Sequence, residues 1–288
     1  MLAKQGLSGS LTFEKPPLFK KPQPMRCTKK GYFILTVWGF IDSLKGGSAS
    51  LFCNGEYMKL PICKRLRCCA ELVPQGARVA DIGCDHGYLG IHLLLSGQAQ
   101  SVHACDLRKA PIHRAMENAQ RFGTAEKMRF SLADGLDAIL PDEVDTIVCA
   151  GMGGDLIAQI LEHAPWLKNE KYLLILQPQS SGNDLRRKLA QMGFGIEKEK
   201  LVEDGGFLYY VICARFGNAA ALTPGQQYLS EPLLHSGDRL LPRYVERIKR
   251  ALTLTVEGIR KSGDPADLAR CSYYETALRE IEEMERQL

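Results

Sequence analysis

The eight-residue run from Asp81 to Tyr88 constrains the fold of this chain more than any other segment. It reads Asp-Ile-Gly-Cys-Asp-His-Gly-Tyr, follows the apolar pair Val79-Ala80, and opens an amphipathic stretch that starts at Leu89. This order is typical of a strand, a tight glycine turn and the N-terminus of a helix. Backbone N–H groups in such a turn bind nucleotide-like ligands, so the run predicts a ligand site at the end of a strand.

The same run differs from the dinucleotide-binding fingerprint, because the pattern Gly-x-Gly-x-x-Gly is absent. Asp85 occupies the position of the second glycine, and its carboxylate would repel a pyrophosphate. A ligand with a positive charge, such as the sulfonium of S-adenosyl-L-methionine (SAM), would be compatible with that carboxylate. The residues therefore favour a cationic, nucleoside-like ligand.

Strand and helix patterns alternate regularly from residue 76 onward, which predicts a parallel sheet with helices on both faces. Gly97, Gly123 and Gly193 each follow a predicted helix at the C-cap end. The predicted strands are 78–83, 101–106, 128–132, 146–150 and 172–177. The predicted helices are 87–96, 109–122, 154–163 and 183–192.

The end of this series departs from the strand–helix repeat. Two predicted strands, 196–202 and 207–213, are separated by Glu203-Asp204-Gly205-Gly206, which leaves no room for a helix and predicts a hairpin. Five parallel strands followed by an antiparallel hairpin resemble the sheet of SAM-dependent methyltransferases. We therefore expect an α/β, Rossmann-like class I methyltransferase domain over residues 58–222.

Beyond Pro224 the apolar residues recur at steps of three and four, which predicts two helices packed antiparallel. Residues 223–288 are therefore expected to form a coiled-coil hairpin, with the loop near Ser262-Gly263-Asp264-Pro265. The apolar positions are Val245, Ile248, Leu252, Val256 and Ile259 in the first helix, and Tyr274, Leu278, Ile281, Met284 and Leu288 in the second.

Residues 1–57 show no comparable pattern. Lys15-Pro16-Pro17 and Gly46-Gly47-Ser48 are typical of extended or linker segments, whereas a helical pattern opens at Met58. We therefore expect 1–57 to be disordered or dispensable, with the native start near Met58. This segment holds eight of the 37 Lys and Arg but three of the 33 Asp and Glu, so the remaining chain is nearly neutral. Global charge therefore gives no argument for nucleic-acid binding.

The ten cysteines form no Cys-x-x-Cys pair and no Cys/His cluster with zinc spacing. Buried, reduced thiols and no metal are therefore expected, as in a cytoplasmic protein. The chain also lacks a run of 18 apolar residues, so no membrane span is predicted.

Four successive predicted strands end in residues suited to ligand contact, and the carboxyl ends of parallel strands meet at one sheet edge. Asp81 and Gly83 end the first strand, and Asp106 ends the second. A carboxylate at the end of the second strand can accept hydrogen bonds from both hydroxyl groups of a ribose. Asp134-Gly135 follows the third strand, and Gly151-Met152-Gly153-Gly154 follows the fourth. Each feature alone also fits a tight turn or a helix N-cap, but together they predict one cofactor-binding crevice.

Asp85, His86 and Tyr88 follow at the mouth of the same crevice. Asp85 and His86 can orient a base and Tyr88 can stack on one, although a structural role is the alternative. Gln177 ends the fifth strand and is expected on the acceptor side. Basic residues of the first C-terminal helix are candidates for phosphate contacts, with a solvated helix face as the alternative: Arg243, Arg247, Arg250 and Lys261.

Four motifs together resemble those of the bacterial tRNA (adenine-22-N1)-methyltransferases. They are Asp81–Leu89, Asp134-Gly135-Leu136, Gly151–Gly154 with Leu156-Ile157, and Leu176-Gln177-Pro178. The resemblance implies SAM as the cofactor, bound by Asp81, Gly83, Asp106, Asp134, Gly135, Gly151 and Met152. It also implies tRNA as the substrate, methyl transfer to N1 of adenine 22, and a C-terminal hairpin that aids tRNA binding. Asp106 departs from the family pattern, where glutamate is commoner.

Adenine N1 carries a free lone pair at neutral pH, so the expected reaction needs positioning and electrostatics rather than a general base. The target base must leave its stack, and Asp85 would favour adenine by accepting a hydrogen bond from its exocyclic amine. Two alternatives stay open: a methyltransferase for a small molecule or another RNA, and an RNA- or partner-binding module with a vestigial SAM site. The oligomeric state stays open too, and a monomer is compatible with the sequence.

Overall fold

The computed structural model describes residues 50–53, 56–262 and 265–287. The expectations for residues 1–49 therefore lie outside the described residues. Two short strands, β1 (Ser50–Cys53) and β2 (Glu56–Lys59), pair antiparallel. The disorder expected up to residue 57 is wrong for this pair. The helix expected to open at Met58 is also wrong, because Met58 lies in β2 and pairs with Leu51.

Helix α1 (Lys64–Leu72) begins only after Pro61, which disfavours helical backbone at the residue before it. Leu60 and Ile62 are nevertheless buried, so the apolar pattern that suggested a longer helix reflects burial of an extended approach to the sheet.

Seven strands form the main sheet. In chain order they are β3 (Ala77–Ile82), β4 (Ala99–Asp106), β5 (Met128–Leu132), β6 (Thr146–Gly153), β7 (Leu173–Ser180), β8 (Phe194–Asp204) and β9 (Phe207–Phe216). Their spatial order is β5-β4-β3-β6-β7-β9-β8. The first five strands are mutually parallel, and β9 runs antiparallel to both β7 and β8. The predicted parallel sheet with a closing hairpin is confirmed.

Three helices connect successive parallel strands, and a fourth leads from β7 to β8. They are α2 (Tyr88–Leu95), α3 (Lys109–Arg121), α4 (Gly154–Glu162) and α5 (Gly182–Met192). Gly97, Gly123 and Gly193 adopt φ of +69°, +67° and +91°, the left-handed backbone expected of glycines that follow a helix.

Alternate residues of the central strands face opposite apolar layers, because side chains along a strand alternate between the two faces of the sheet. Val79, Val148 and Ile175 pack in the layer that contains α1, α2 and α3. Their neighbours Ala80, Ile147 and Leu174 pack in the layer with α4 and α5. This double coverage explains why these strands read as continuous apolar runs.

The C-terminal region consists of α6 (Glu231–Leu234), α7 (Leu241–Ser262) and α8 (Pro265–Glu285). Ion pairs between Lys249 and Glu285 (2.6 Å) and between Arg260 and Glu275 (2.6 Å) fix α7 and α8 antiparallel. The predicted helix pair is confirmed, whereas the one-turn α6 was not anticipated. Residues of α7 and α8 share an apolar cluster with β8 and β9, so the helix pair packs against the hairpin edge of the sheet.

The eight cysteine side chains that the structure describes are free thiols, and seven are buried. Burial raises the pKa of the Cys105 thiol to about 12, so it stays protonated. Within the described ranges, no group of three His, Cys, Asp or Glu residues is placed to hold a metal ion. None of the helices in the same ranges combines the length and apolar character that crossing a bilayer requires.

Candidate active site

A cavity of about 390 Å³ opens at the carboxyl ends of β3, β4 and β6, where the strand order reverses. Its size is typical of small-ligand sites. Seven residues expected to bind a cofactor line it: Asp81, Gly83, Asp106, Asp134, Gly135, Gly151 and Met152. The eighth, Gly153, lies at the start of α4, where an added Cβ would stand 3.2 Å from Ser180 Oγ.

The turn after β3 is held against the end of β4 by two hydrogen bonds to one carbonyl. The N–H groups of Gly83 and Cys84 both donate to Cys105 O, at 2.8 and 2.9 Å. Gly83 has φ of +70°, and a Cβ there would lie 2.2 Å from Met152 Cε. Glycine at this position thus satisfies both the left-handed backbone and the close approach of Met152.

The Asp106 carboxylate is buried and oriented by backbone donors. Its Oδ1 accepts a hydrogen bond from Arg108 N at 2.9 Å, and its Oδ2 accepts one from Asp85 N at 3.3 Å. Arg108 Nε also donates to Oδ1, at 3.5 Å, so the acceptor capacity that remains toward the cavity is mainly that of Oδ2. The geometry suits a ligand that presents two adjacent hydroxyl groups.

Asp81 is the least satisfied polar group of the cavity. Its side chain is 4% exposed, and its Oδ2 has no hydrogen-bond partner. Desolvation, reinforced by the nearby Asp106 carboxylate, raises the pKa of Asp81 to about 7. The backbone of Gly90 donates a hydrogen bond to this carboxylate, so the unmet acceptor is Oδ2 alone. A buried carboxylate oxygen without a donor at a cavity wall fits a ligand with an ammonium group, and the α-amino group of SAM meets that requirement.

The Gly151 loop is fixed by Gln177, whose side chain is fully buried. Gln177 Oε1 accepts hydrogen bonds from Gly151 N (3.1 Å) and from Arg65 Nη1 (2.6 Å), and its Nε2 donates to Pro178 O (2.9 Å). The expectation that Gln177 lines the acceptor side is therefore wrong. A buried amide must satisfy its own donors and acceptors, and here it does so by positioning the loop and Arg65.

Arg65 is a cavity residue that the sequence reasoning missed. It lies in the first turn of α1, lines the cavity beside Gly151, and its guanidinium carbon is 5.5 Å from the ring centroid of Tyr209. The available signal was a basic helix directly before the first strand of a nearly neutral domain. Gln179, at the end of β7, also lines the cavity and was likewise not anticipated.

Asp85, His86 and Tyr88 lie together at the start of α2. Asp85 lines the cavity, with φ of +48°, and its Oδ2 is 3.6 Å from His86 Nε2. The rings of His86 and Tyr88 are stacked, with centroids 5.4 Å apart and planes 9° apart. Asn118 Nδ2 donates to His86 O at 2.9 Å and so anchors the segment to α3. A carboxylate is thus placed next to a pair of parallel rings.

The basic residues expected to contact phosphate divide into two places. Arg243, Arg247 and Arg250 line a second cavity of about 310 Å³ with Phe207, Leu208 and the β8–β9 turn. Lys261 is exposed near the far end of α7 and lies about 16 Å further along the helix axis than Arg250.

The sheet order, the acidic residues that end β3 and β4, and the glycine-rich loop after β6 define a class I SAM-dependent methyltransferase. A family model described as a methyltransferase domain matches residues 62–212. The chain is 35% identical over 167 residues to the tRNA (adenine(22)-N(1))-methyltransferase of Bacillus subtilis, which covers 58% of this chain and 70% of that protein. The chain therefore belongs to the tRNA (adenine(22)-N(1))-methyltransferase family.

Solved structures agree with this assignment. The B. subtilis M1A22 tRNA methyltransferase TrmK superposes with a TM-score of 0.70 at 27% identity, over 78% of this chain and 99% of that one. Sp1610 of Streptococcus pneumoniae, described as a candidate tRNA (m1A22) methyltransferase, was solved in complex with SAM. It superposes with a TM-score of 0.65 at 31% identity, over 75% of this chain and 99% of that one.

Proposed function

We propose that this chain transfers the methyl group of SAM to N1 of adenine 22 in tRNA. The observation that carries the proposal is a single cavity in which the Asp81 carboxylate, with Oδ2 unpartnered, and the oriented Asp106 carboxylate lie beside Asp85. Buried acidic groups of this kind suit a cofactor with an ammonium group and a ribose. Asp85 then remains to face the acceptor base.

Different residues around the cavity would bind different groups of SAM. Asp81 would hold the amino group, Asp106 the ribose hydroxyls, and Arg65 the carboxylate. Gly83, Gly135 and Gly151 would let the backbone approach the ligand, since each has positive φ and no side chain. When bound, SAM supplies an electrophilic methyl group on a positively charged sulfur.

The acceptor side requires orientation and charge stabilisation rather than proton removal, because adenine N1 is already a nucleophile. As N1 accepts the methyl group, positive charge moves onto the adenine ring. A carboxylate about 4 Å from a unit positive charge stabilises it by about 4 kcal/mol at an effective dielectric constant of 20. Asp85 would act in this way while accepting a hydrogen bond from the exocyclic amine. The stacked rings of His86 and Tyr88 would support the extruded base.

A methylation assay with mapped products tests the proposal. The full chain is incubated with SAM carrying an isotopically labelled methyl group and an unmodified tRNA transcript that has adenine at position 22. The same transcript with guanine at position 22 serves as the control. We expect label incorporation and a reverse-transcription stop at position 22 in the first transcript only, because a methyl group on N1 blocks base pairing.

The two alternatives give different results in the same experiment. Label incorporated equally into the guanine-22 control would indicate a different target. SAM binding without incorporation into either transcript would favour a small molecule or another RNA as the acceptor. Absence of SAM binding in equilibrium dialysis would favour an RNA-binding module with a vestigial cofactor site.

A further inference from the structure

The β8–β9 hairpin continues beyond its pairing with β7 at the edge that carries the cofactor cavity. Strand β9 pairs with β7 only from Leu173–Arg215 to Leu176–Ile212, whereas its pairing with β8 continues to Asp204–Phe207. Residues 207–211 therefore form, together with β8, an overhang of about 17 Å beyond the β7–β9 ladder. Strand β7 itself continues to Ser180 and pairs there with β6 only. Because β9 runs antiparallel to β7, the overhang projects on the side where the parallel strands end.

A groove of about 480 Å³ lies between this overhang, the end of β7 and α7. It adjoins the cofactor cavity at one shared residue and at one contact between residues of the two spaces. Gln179 lines both spaces. Arg65 lines the cavity, and its guanidinium lies over the ring of Tyr209, which lines the groove. A chain bound along the groove would thus lead to the cavity mouth.

The outer end of the groove combines an aromatic face with cationic groups. Phe207 is 68% exposed, more than any other large apolar side chain that the structure describes, and its ring centroid is 6.4 Å from that of Tyr209. Arg247 lines the groove and donates from Nη1 to Leu208 O at 2.5 Å. Arg250 is exposed beside Phe207 and makes no ion pair with a described residue.

Local charge balance favours an anionic occupant. Of the charged side chains that line the adjoining cavity, three are arginines and one is Glu246. Arg243 is already paired with Glu203 at 2.7 Å, which leaves Arg247 and Arg250 to provide the positive field. Exposed aromatic rings next to guanidinium groups are the usual surface for unstacked nucleotides, where bases stack and phosphates are neutralised.

We propose that this groove binds unstacked nucleotides of the tRNA next to the target adenine, with Phe207 stacked on a base and Arg250 contacting a phosphate. The inference rests on the proposed function. A base inside an intact duplex has both faces covered, so an exposed ring can stack only on a base that has left its stack. Extruding the target adenine disturbs its neighbours, and the groove would compensate for their lost stacking.

Equilibrium binding of the full chain to unmodified tRNA over a range of salt concentrations tests this role. The variants are Phe207→Ala, Phe207→Trp and Arg250→Ala. The matched control is Leu254→Ala, an exposed apolar residue of α7 that lines neither the groove nor the adjoining cavity. SAM affinity is measured for all of them.

We expect Phe207→Ala to weaken tRNA binding by about tenfold or more with an unchanged salt slope, and Phe207→Trp to restore it. Arg250→Ala should reduce the salt slope by about one. Leu254→Ala should change neither quantity, and SAM affinity should be unchanged throughout.

Unchanged tRNA affinity of Phe207→Ala, in an enzyme that still methylates adenine 22, would overturn the stacking role and leave the proposed function intact. Equal losses in Phe207→Ala and Leu254→Ala would overturn it as well. If the wild-type chain bound no tRNA, the proposed function would fail together with the groove.

Discussion

The guanidinium of Arg186 and the carboxylate of Glu199 form a buried ion pair with two hydrogen bonds. Arg186 Nε is 2.8 Å from Oε1, and its Nη2 is 2.7 Å from Oε2. The same guanidinium donates to Gln227 O and to Tyr244 Oη, both at 3.2 Å, and its Cζ lies 4.3 Å from the ring centroid of Tyr210. The Arg186 guanidinium therefore joins five parts of the fold: helix α5, strands β8 and β9, the segment before α6, and helix α7.

Replacing Glu199 with Gln should lower the free energy of unfolding by about 3–5 kcal/mol, because it leaves a buried guanidinium without its counter-charge. Urea unfolding followed by circular dichroism measures the change. Asp184→Asn is the matched control, since Asp184 pairs with Arg187 at the surface and should cost less than about 1 kcal/mol. Equal losses in the two variants would contradict the role of the buried pair.

Replacing Asp81 with Asn should reduce SAM affinity at least tenfold and stabilise the ligand-free protein. Burial raises the pKa of Asp81 from 3.8 to about 7, so the folded chain retains a proton that the unfolded chain has lost. Stability that is fully present below pH 3.8 is therefore lost as the pH rises to about 7. Asn has no proton to lose, and the variant should be more stable by roughly 1–4 kcal/mol at pH 7.5.

Two measurements check this prediction. Thermal unfolding of both ligand-free proteins from pH 5 to 8 should show a gap that widens with pH and then levels off above about pH 7. Isothermal titration with SAM should show that the affinity of the wild-type chain rises between pH 6 and 8. An Asn variant that binds SAM normally would rule out the contact with the amino group.

Replacing Gly83 with Ala should impair SAM binding as well as stability. A side chain at φ of +70° costs about 1–2 kcal/mol, and its Cβ would force Met152 to move within the cavity. Gly76→Ala is the control, because Gly76 has φ of +78° at the other end of β3 and no atom within 4 Å of the added Cβ. Both variants should lose similar stability in chemical unfolding, but only Gly83→Ala should bind SAM more weakly.

Replacing Asp85 with Asn should lower kcat by about tenfold to a hundredfold and leave the Kd for SAM unchanged. Asn tolerates left-handed backbone, so the variant keeps the turn at φ of +48° while it removes the charge. Asp142→Asn, a fully exposed site before the opposite end of β6, serves as the control. Full activity of Asp85→Asn in single-turnover assays would reject a role for the charge in stabilising methylated adenine.

The cofactor side of this site was predictable because parallel strands bring their carboxyl ends together. Asp106 and Gly151 follow the Asp81–Gly83 turn by more than 20 and more than 60 residues, and the strand–helix alternation alone was enough to bring them to one cavity. Secondary structure was equally accessible, since the seven main strands and four crossover helices lie within three residues of their predicted bounds.

Residues whose roles depend on side-chain direction were not predictable in this way. Gln177 stands at the expected sheet edge, but its amide turns into the protein to bind Gly151 and Arg65. Arg65 comes from a helix before the sheet, and Phe207 gains its exposure from a difference in pairing length between two strands. No local pattern in the sequence encodes these tertiary relationships.

The unequal pairing of β9 also limits how this region can vary in length. A one-residue insertion in either arm of the overhang would invert the faces of all residues beyond it, because side chains alternate along a strand. Two added residues in each arm would preserve the faces and lengthen the projection by about 7 Å. Relatives with longer or shorter hairpins should therefore differ by an even number of residues in each arm. Each two-residue step would shift the proposed contact at Phe207 by about one nucleotide along a bound strand.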